Sequence, residues 1–256
     1  MNVLIYGCGS MGSKRATILT NLGHNIFLQD PPKGKMSFPD STDAVFICTP
    51  PETHLQIAKQ NLGHHMFIEK PLATSFSEAS WFVSEFEQTG KVGAVGYNWK
   101  YHPKIKELKK KKFNRLILAE LKYFTFMGDW QASYLPNKLL ETHEIELSIY
   151  LFGEPKTKPS LERDYNKFTI WMKNHSRVYN QFCLHPFYSR SIYILEGRKN
   201  YYTVQLPKED VWDTYVAETK HFMQCVAGDR RVGPPLTSMR DGLRTLAIVE
   251  QCALSA

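Results

Sequence analysis

Three short stretches in the first hundred residues carry side chains and spacings that could do chemistry together. The first is Gly7-Cys8-Gly9-Ser10-Met11-Gly12, a G-x-G-x-x-G hexapeptide. It follows the apolar run Val3-Leu4-Ile5-Tyr6, which reads as a buried parallel strand, and it opens a helix. In that setting the first glycine permits a tight turn, the second lets backbone approach a pyrophosphate, and the third lets helix and strand pack closely. Exposed N–H groups and the helix dipole then hold the phosphates. The second is Asp30, 18 residues past Gly12 and directly after a predicted strand over Asn25 to Gln29. A carboxylate there accepts hydrogen bonds from the adenosine ribose and repels a 2′-phosphate, so NAD is expected over NADP. Lys33 and Lys35 lie just beyond it and keep NADP possible. The third is Glu69-Lys70-Pro71, after a predicted strand over His65 to Ile68. Lys70 then falls at the carboxyl edge of the sheet, where such folds bind ligands. Burial lowers a lysine pKa towards neutrality, which makes Lys70 a candidate acid/base and stabiliser of oxygen charge. Glu69 would position Lys70 or a nicotinamide.

The elements that must position these residues alternate strand and helix. The first helix is expected to run to about Leu22, with Gly23 as its left-handed cap. A strand over Ala44 to Cys48 and a helix from about Thr53 to Leu62 follow.

The stretch from Thr49 through Thr74 closely resembles the glucose-fructose oxidoreductase/inositol dehydrogenase (Gfo/Idh/MocA) family. It carries that family's T-P-P-x-x-H segment, Thr49 to His54, and its E-K-P motif at the right spacing. Gly96-Tyr97-Asn98-Trp99-Lys100-Tyr101-His102-Pro103 is similar to the family's G-Y-N-x-R-x-H-P stretch, with Lys100 in place of arginine. His143-Glu144-Ile145-Glu146-Leu147 resembles its H-x-I-D helix, and Pro235 to Ala256 its final helix. The resemblance implies a cofactor set of Gly7, Gly9, Ser10, Met11, Gly12, Asp30, Thr49, Pro50, His54, Glu69 and Lys70. It implies Lys70 and His143 as catalytic groups, the imidazole relaying a proton near neutral pH. Asn98, Lys100, Tyr101, Trp130, Glu141 and Glu146 would line the substrate side. The family places an aspartate four residues before the histidine, where this chain has Leu139. Glu141 replaces it only if the segment is irregular; Glu146, three after His143, shares its helix face. A further departure is the gap of 13 residues between Asp30 and Ala44, where the family fits another helix and strand.

From about Leu116 the pattern becomes strand-like, with short turns such as Lys173-Asn174-His175-Ser176 and Glu196-Gly197-Arg198. Helices are expected at about 142–152 and 211–227. The fold class is therefore an α/β Rossmann domain with an abbreviated parallel sheet over 1–100. An α+β domain with a mostly antiparallel, open-faced sheet follows over 101–256, the C-terminal helix packing back on the first domain. The open face, by the resemblance, pairs subunits, so a homodimer or larger is expected; a monomer by light scattering would exclude it.

Composition excludes other classes. Five scattered cysteines without a C-x-x-C pair point to neither a zinc knuckle nor a disulfide framework, and histidines such as His64, His65, His175 and His185 lack ligand spacing, so no metal is expected. No apolar stretch reaches membrane-spanning length and no signal peptide is seen, which suggests a cytoplasmic protein without membrane partners. Net charge is +7, much of it in Lys104, Lys106 and Lys109 to Lys112, and reads as a solvated helix face rather than a nucleic-acid surface. The expected activity is NAD(P)-dependent hydride transfer to or from a carbinol or carbonyl carbon of a small-molecule sugar, polyol or sugar derivative. The alternative is a catalytically silent dinucleotide-binding regulator or scaffold of the same family.

Overall fold

The computed structural model describes residues 1–30, 35–36, 41–111, 117–125, 142–156, 160–161, 167–173, 177–184, 189–197 and 200–253. Its elements begin with β1 (Asn2–Tyr6), α1 (Ser10–Asn21), β2 (Asn25–Asp30), β3 (Lys35–Met36), β4 (Ala44–Ile47), α2 (Pro51–Gln60), β5 (His65–Glu69), α3 (Phe76–Gln88) and β6 (Gly93–Gly96). There follow α4 (Pro103–Lys110), β7 (Ile117–Thr125), α5 (Thr142–Phe152), β8 (Ser160–Leu161), β9 (Lys167–Trp171), β10 (Arg177–Leu184), β11 (Ser189–Glu196), β12 (Asn200–Gln205), α6 (Val211–Val226), β13 (Thr237–Ser238) and α7 (Met239–Ala253). Two compact units form, Met1–Asn98 with Tyr215–Leu246, and Trp99–Thr214 with Ala247–Ala256.

The first unit is a doubly wound sheet in the order β13-β6-β5-β4-β1-β2-β3. Strands β2, β1, β4, β5 and β6 run parallel. Strands β4 and β6 are buried along their whole length, as expected where both faces of a sheet are covered. Within the short gap after Asp30 the described residues include Lys35 and Met36, which form β3. This strand turns back antiparallel on β2, pairing Asp30 with Lys35, so the sheet ends in a two-residue edge. Gly23 takes φ 81° after α1, as the cap reading required.

The helix expected at about 211–227 falls, by residue order, in the second domain. From Tyr215 onward it falls in the first unit, and the reason is packing. Phe222 stands edge-on to Phe46 and Phe67, with ring centroids 5.3 and 5.4 Å away, and those two rings stack at 4.9 Å. Phe222, Met223 and Cys225 share one core cluster with Val3, Ile5 and Phe46. The start of α7 belongs there too. A Cβ added at Gly242 would lie 2.6 Å from Val95, so this helix closes tightly on β6.

The second unit is a sheet in the order β12-β11-β7-β10-β9-β8. All its pairings are antiparallel except β10 with β7. Helix α5 lies against β7 and β10 and also touches α4. The lysine run on α4 is exposed, yet several of its amines are docked. Lys104 donates to the Gln205 carbonyl, Lys109 to the Tyr150 carbonyl, and Lys106 and Lys111 sit over the rings of Tyr101 and Tyr202. No helix among the described residues is long and apolar enough to cross a membrane.

Candidate functional site

The carboxyl ends of β1, β2, β4 and β5 assemble the candidate site of the first unit. Gly7 leaves β1 with φ 85° and its N–H donates to the Gln29 carbonyl at 2.8 Å. Gly9 is the N-cap of α1, and no side chain caps this helix end. No acidic residue stands in the first turn either, so the positive end of the dipole is not neutralised from within the helix. Ser10 and Met11 form that turn, exposed and half-buried respectively. Asp30 stands at the tip of β2, and its carboxylate accepts the Cys8 N–H at 2.6 Å. The acid read from the sequence as a ribose ligand is thus also a clamp on the glycine loop.

After β4, Thr49 and Pro50 lead into α2, where Thr53 donates to the Thr49 hydroxyl at 2.7 Å. His54 does not reach outward as a cofactor ligand would. It is fully buried, with Nε2 2.9 Å from the Thr49 carbonyl and Nδ1 2.9 Å from the Pro71 carbonyl. Burial pushes its pKa below the ordinary value, against the pull of those two carbonyls. A neutral ring donates to one of them at a time. The expected cofactor contact at His54 is therefore corrected: the ring ties the loop after β4 to the segment carrying Lys70.

Glu69 ends β5, and the half-buried Lys70 follows it. Glu69 is held by Arg15, a fully buried arginine on α1. Arg15 Nε donates to Glu69 at 2.8 Å, one terminal nitrogen to Glu218 at 2.7 Å, and the other to the Thr219 hydroxyl at 2.7 Å. Glu218 in turn accepts the Tyr97 N–H at 2.7 Å. Burial pushes the Glu218 carboxyl up to about 7, with the Glu69 charge adding and Arg15 opposing. The Cys48 thiol is pushed well above its ordinary value, by burial first and by Glu69 second. Arg15 and Glu218 were not singled out in the sequence. The one usable signal was an arginine on the face of α1 that also carries Ile18 and Leu19, a face that becomes buried.

Several of the residues expected on the substrate side come together in the second unit. Lys100 pairs with Glu146 at 2.6 Å, both buried, and lies 5.4 Å from the Tyr150 ring centroid. Glu146, expected on the substrate side, thus holds Lys100. One residue pair earlier on α5, buried Glu144 pairs with Arg190, whose guanidinium stacks on Trp99 at 4.4 Å. His143 is half-buried near the start of α5. Tyr101 is buried, and Asn98, the last residue of the first unit, is buried as well. Trp130, Glu141 and Leu139 lie outside the described residues. Among the described residues no group of three or more potential metal ligands occurs.

A glycine loop, a bare helix N-terminus and an acid at the next strand tip define a dinucleotide-binding Rossmann unit. Comparison with known proteins narrows the class. Residues 33–97 match the GFO_IDH_MocA model, described as an oxidoreductase family with an NAD-binding Rossmann fold. The chain carries that fold, and its resemblance is to the Gfo/Idh/MocA dehydrogenases. A 4-carboxy-2-hydroxymuconate-6-semialdehyde dehydrogenase from Sphingobium sp. is 33% identical over 84 residues, 32% of this chain and 25% of that protein. A UDP-N-acetylglucosamine 3-dehydrogenase from Acidithiobacillus ferrooxidans is 28% identical over 120 residues, 43% of this chain and 36% of that one. The matched segments thus span between a quarter and about a third of these relatives. The fold agrees over a longer range. The WlbA dehydrogenase from Bordetella pertussis, solved with NADH and UDP-GlcNAcA, superposes with a TM-score of 0.82 at 18% identity, covering 100% of this chain and 95% of that one.

Proposed function

We propose that this chain is an NAD(P)-dependent oxidoreductase acting on a carbinol or carbonyl carbon of a sugar, polyol or sugar derivative. The observation that carries the reading is the clamped glycine loop at the bare N-terminus of α1, with Lys70 at the same carboxyl edge. The residues fit a dinucleotide. Among the described residues nothing lies within 4 Å of a Cβ built on Gly9, so backbone is open there to a phosphate. When bound, the nicotinamide supplies or takes up hydride. Lys70 then holds a proton at the substrate oxygen, giving it up or receiving it as the carbon changes oxidation state. Asp30 accepts from the adenosine ribose and disfavours a 2′-phosphate. The relatives named as dehydrogenases of a nucleotide sugar and of a semialdehyde support the carbon class.

Fluorescence titration with NADH and NADPH, followed by cofactor oxidation with a panel of keto-sugars, tests this directly. Lys70→Ala should lower turnover by about 10²–10⁴, the usual worth of a positioned acid/base, with NADH affinity within about fivefold. Asp30→Asn keeps an acceptor for Cys8 N–H but removes the charge, so it should shift preference towards NADPH by at least about tenfold, or about 1.4 kcal/mol. Binding of neither dinucleotide ends the reading. Tight NADH binding with no turnover on any member of the panel would favour the silent regulator instead.

A further inference from the structure

We propose that Glu218 is a positioning residue: through Arg15 it holds Glu69, and with it the Lys70 that follows, in place at the carboxyl edge of β5. The inference rests on Lys70 acting as the acid/base of the proposed function. The geometry has three parts. Arg15 reaches across the unit from α1 and spends its Nε and one terminal nitrogen on Glu69 and Glu218, at 2.7–2.8 Å. Its other terminal nitrogen bonds Thr219 at 2.7 Å and the Tyr215 carbonyl at 3.4 Å, one helical turn apart on α6. The guanidinium plane also lies 4.5 Å from the Phe67 ring centroid, on the strand that ends in Glu69. Glu218 uses its second oxygen on the Tyr97 N–H, just past β6. One carboxylate on a late helix thereby fixes the ends of β5 and β6 and the middle of α1.

Such an arrangement is a poor way to add stability. Buried ion pairs often do no better than well-packed apolar residues of similar volume, and here two carboxylates face a single guanidinium. Its geometry is better suited to holding a side chain still. Among the described residues the charged groups that act on Glu218 are Arg15 from α1 and Glu69 from β5; the Cys48 thiol after β4 feels the same two groups, and Lys14 sits 5.3 Å from the Tyr215 ring on α6. The Glu218 carboxyl, pushed up to about 7 chiefly by burial, is charged above neutrality and protonated below it. The cluster therefore gains one negative charge as pH rises through 7, and Lys70 should register it.

The test uses the full-length protein with its lysines dimethylated with ¹³C, a modification that keeps the charge. Lys70→Arg assigns the Lys70 methyl resonance. In the native chain without cofactor that resonance should shift between pH 5.5 and 8.5 with a midpoint near 7. In Glu218→Gln it should lose that step and stay at its acid position, while NADH affinity stays within about threefold. Where turnover is measurable on unmodified protein, Glu218→Gln should lower kcat at least about tenfold at pH 8, with KM changed less than about threefold. It should also remove the limb of the pH profile near 7. Glu218→Asp keeps the charge, so the step should persist, displaced in pH. Lys70 resonances that coincide in the native, Gln and Asp proteins across the range would overturn the inference. Absence of turnover in the native protein would count against the proposed function alone, because the resonance comparison is made without cofactor or substrate.

Discussion

Gly12→Ala is expected to unfold the first unit at a markedly lower temperature, whereas Gly9→Ala is expected to keep the fold and lose the cofactor. A Cβ on Gly12 would stand 1.8 Å from the Gly7 carbonyl oxygen and 3.5 Å from the Cys48 Cβ. The first of these is backbone belonging to the turn that Gly7 makes with φ 85°, so it cannot swing aside as a side-chain end would. Overpacking against movable side chains already costs about 1–3 kcal/mol. Against a fixed carbonyl the cost should be about 3 kcal/mol or more, which for a protein of this size lowers the melting temperature by about 6–12 °C. Gly9 has φ −72°, a conformation alanine adopts, and its Cβ would meet open space among the described residues. As an N-cap change it should cost under about 1 kcal/mol. Yet that Cβ would enter the space through which backbone approaches a pyrophosphate, so NADH affinity should fall at least about 100-fold, or about 2.7 kcal/mol. Scanning calorimetry of both variants, with NADH titrations, separates the two roles. Equal melting losses, or undiminished NADH affinity in Gly9→Ala, would mean that the loop does not cradle phosphate.

This contrast shows which parts were readable from residue order. The glycine loop, the strand before it and Asp30 lie within 30 residues, and their physics is local: a turn, a helix end and a strand tip. Alternating strands of the second half were legible for the same reason, since period-two patterning needs only neighbours. Long-range events were not. Arg15 and Glu218 are 203 residues apart, and each alone reads as a charge on an amphipathic helix. Nothing local says that α6 leaves the second sheet's unit at Tyr215. His54 was visible as part of a motif, but its role depends on where the carbonyls of Thr49 and Pro71 end up. The gap after Asp30 correctly implied a shortened sheet. Its antiparallel closure by β3 is a choice of pairing that the spacing left open. Helical spacing placed Glu146 on the helix that carries His143, but its ion pair with Lys100, 46 residues away, is another long-range event that spacing could not show.

Arg15→Met should be the most damaging single change to the stability of the first unit, and the damage should depend on pH. Methionine fills much of the same volume, so the loss is electrostatic rather than a cavity. It strands two buried carboxylates, Glu69 and Glu218, whose shared cation is gone. Removing one partner from a buried pair typically costs about 3–5 kcal/mol, because the remaining charge is left uncompensated. The sign with pH follows from the Glu218 pKa, which in the folded native chain already lies near 7 rather than at the ordinary carboxylate value. A carboxyl raised on folding binds its proton more tightly in the folded state. Stability from such a group is present at acid pH and is lost as pH rises through the window between the unfolded value and the folded one. With Arg15 gone, the main force opposing that rise disappears, so the window widens upward and the loss deepens. The gap in melting temperature between native protein and Arg15→Met should therefore be wide at pH 8, on the order of 6–20 °C, and narrower at pH 5.5, where the Glu218 carboxyl takes up a proton. Adding Glu218→Leu to Arg15→Met removes one of the stranded charges and should recover part of the pH 8 loss. A gap of equal size at both pH values would show that Arg15 stabilises by packing on Phe67 and Tyr215 alone, and that the two carboxylates do not share its charge.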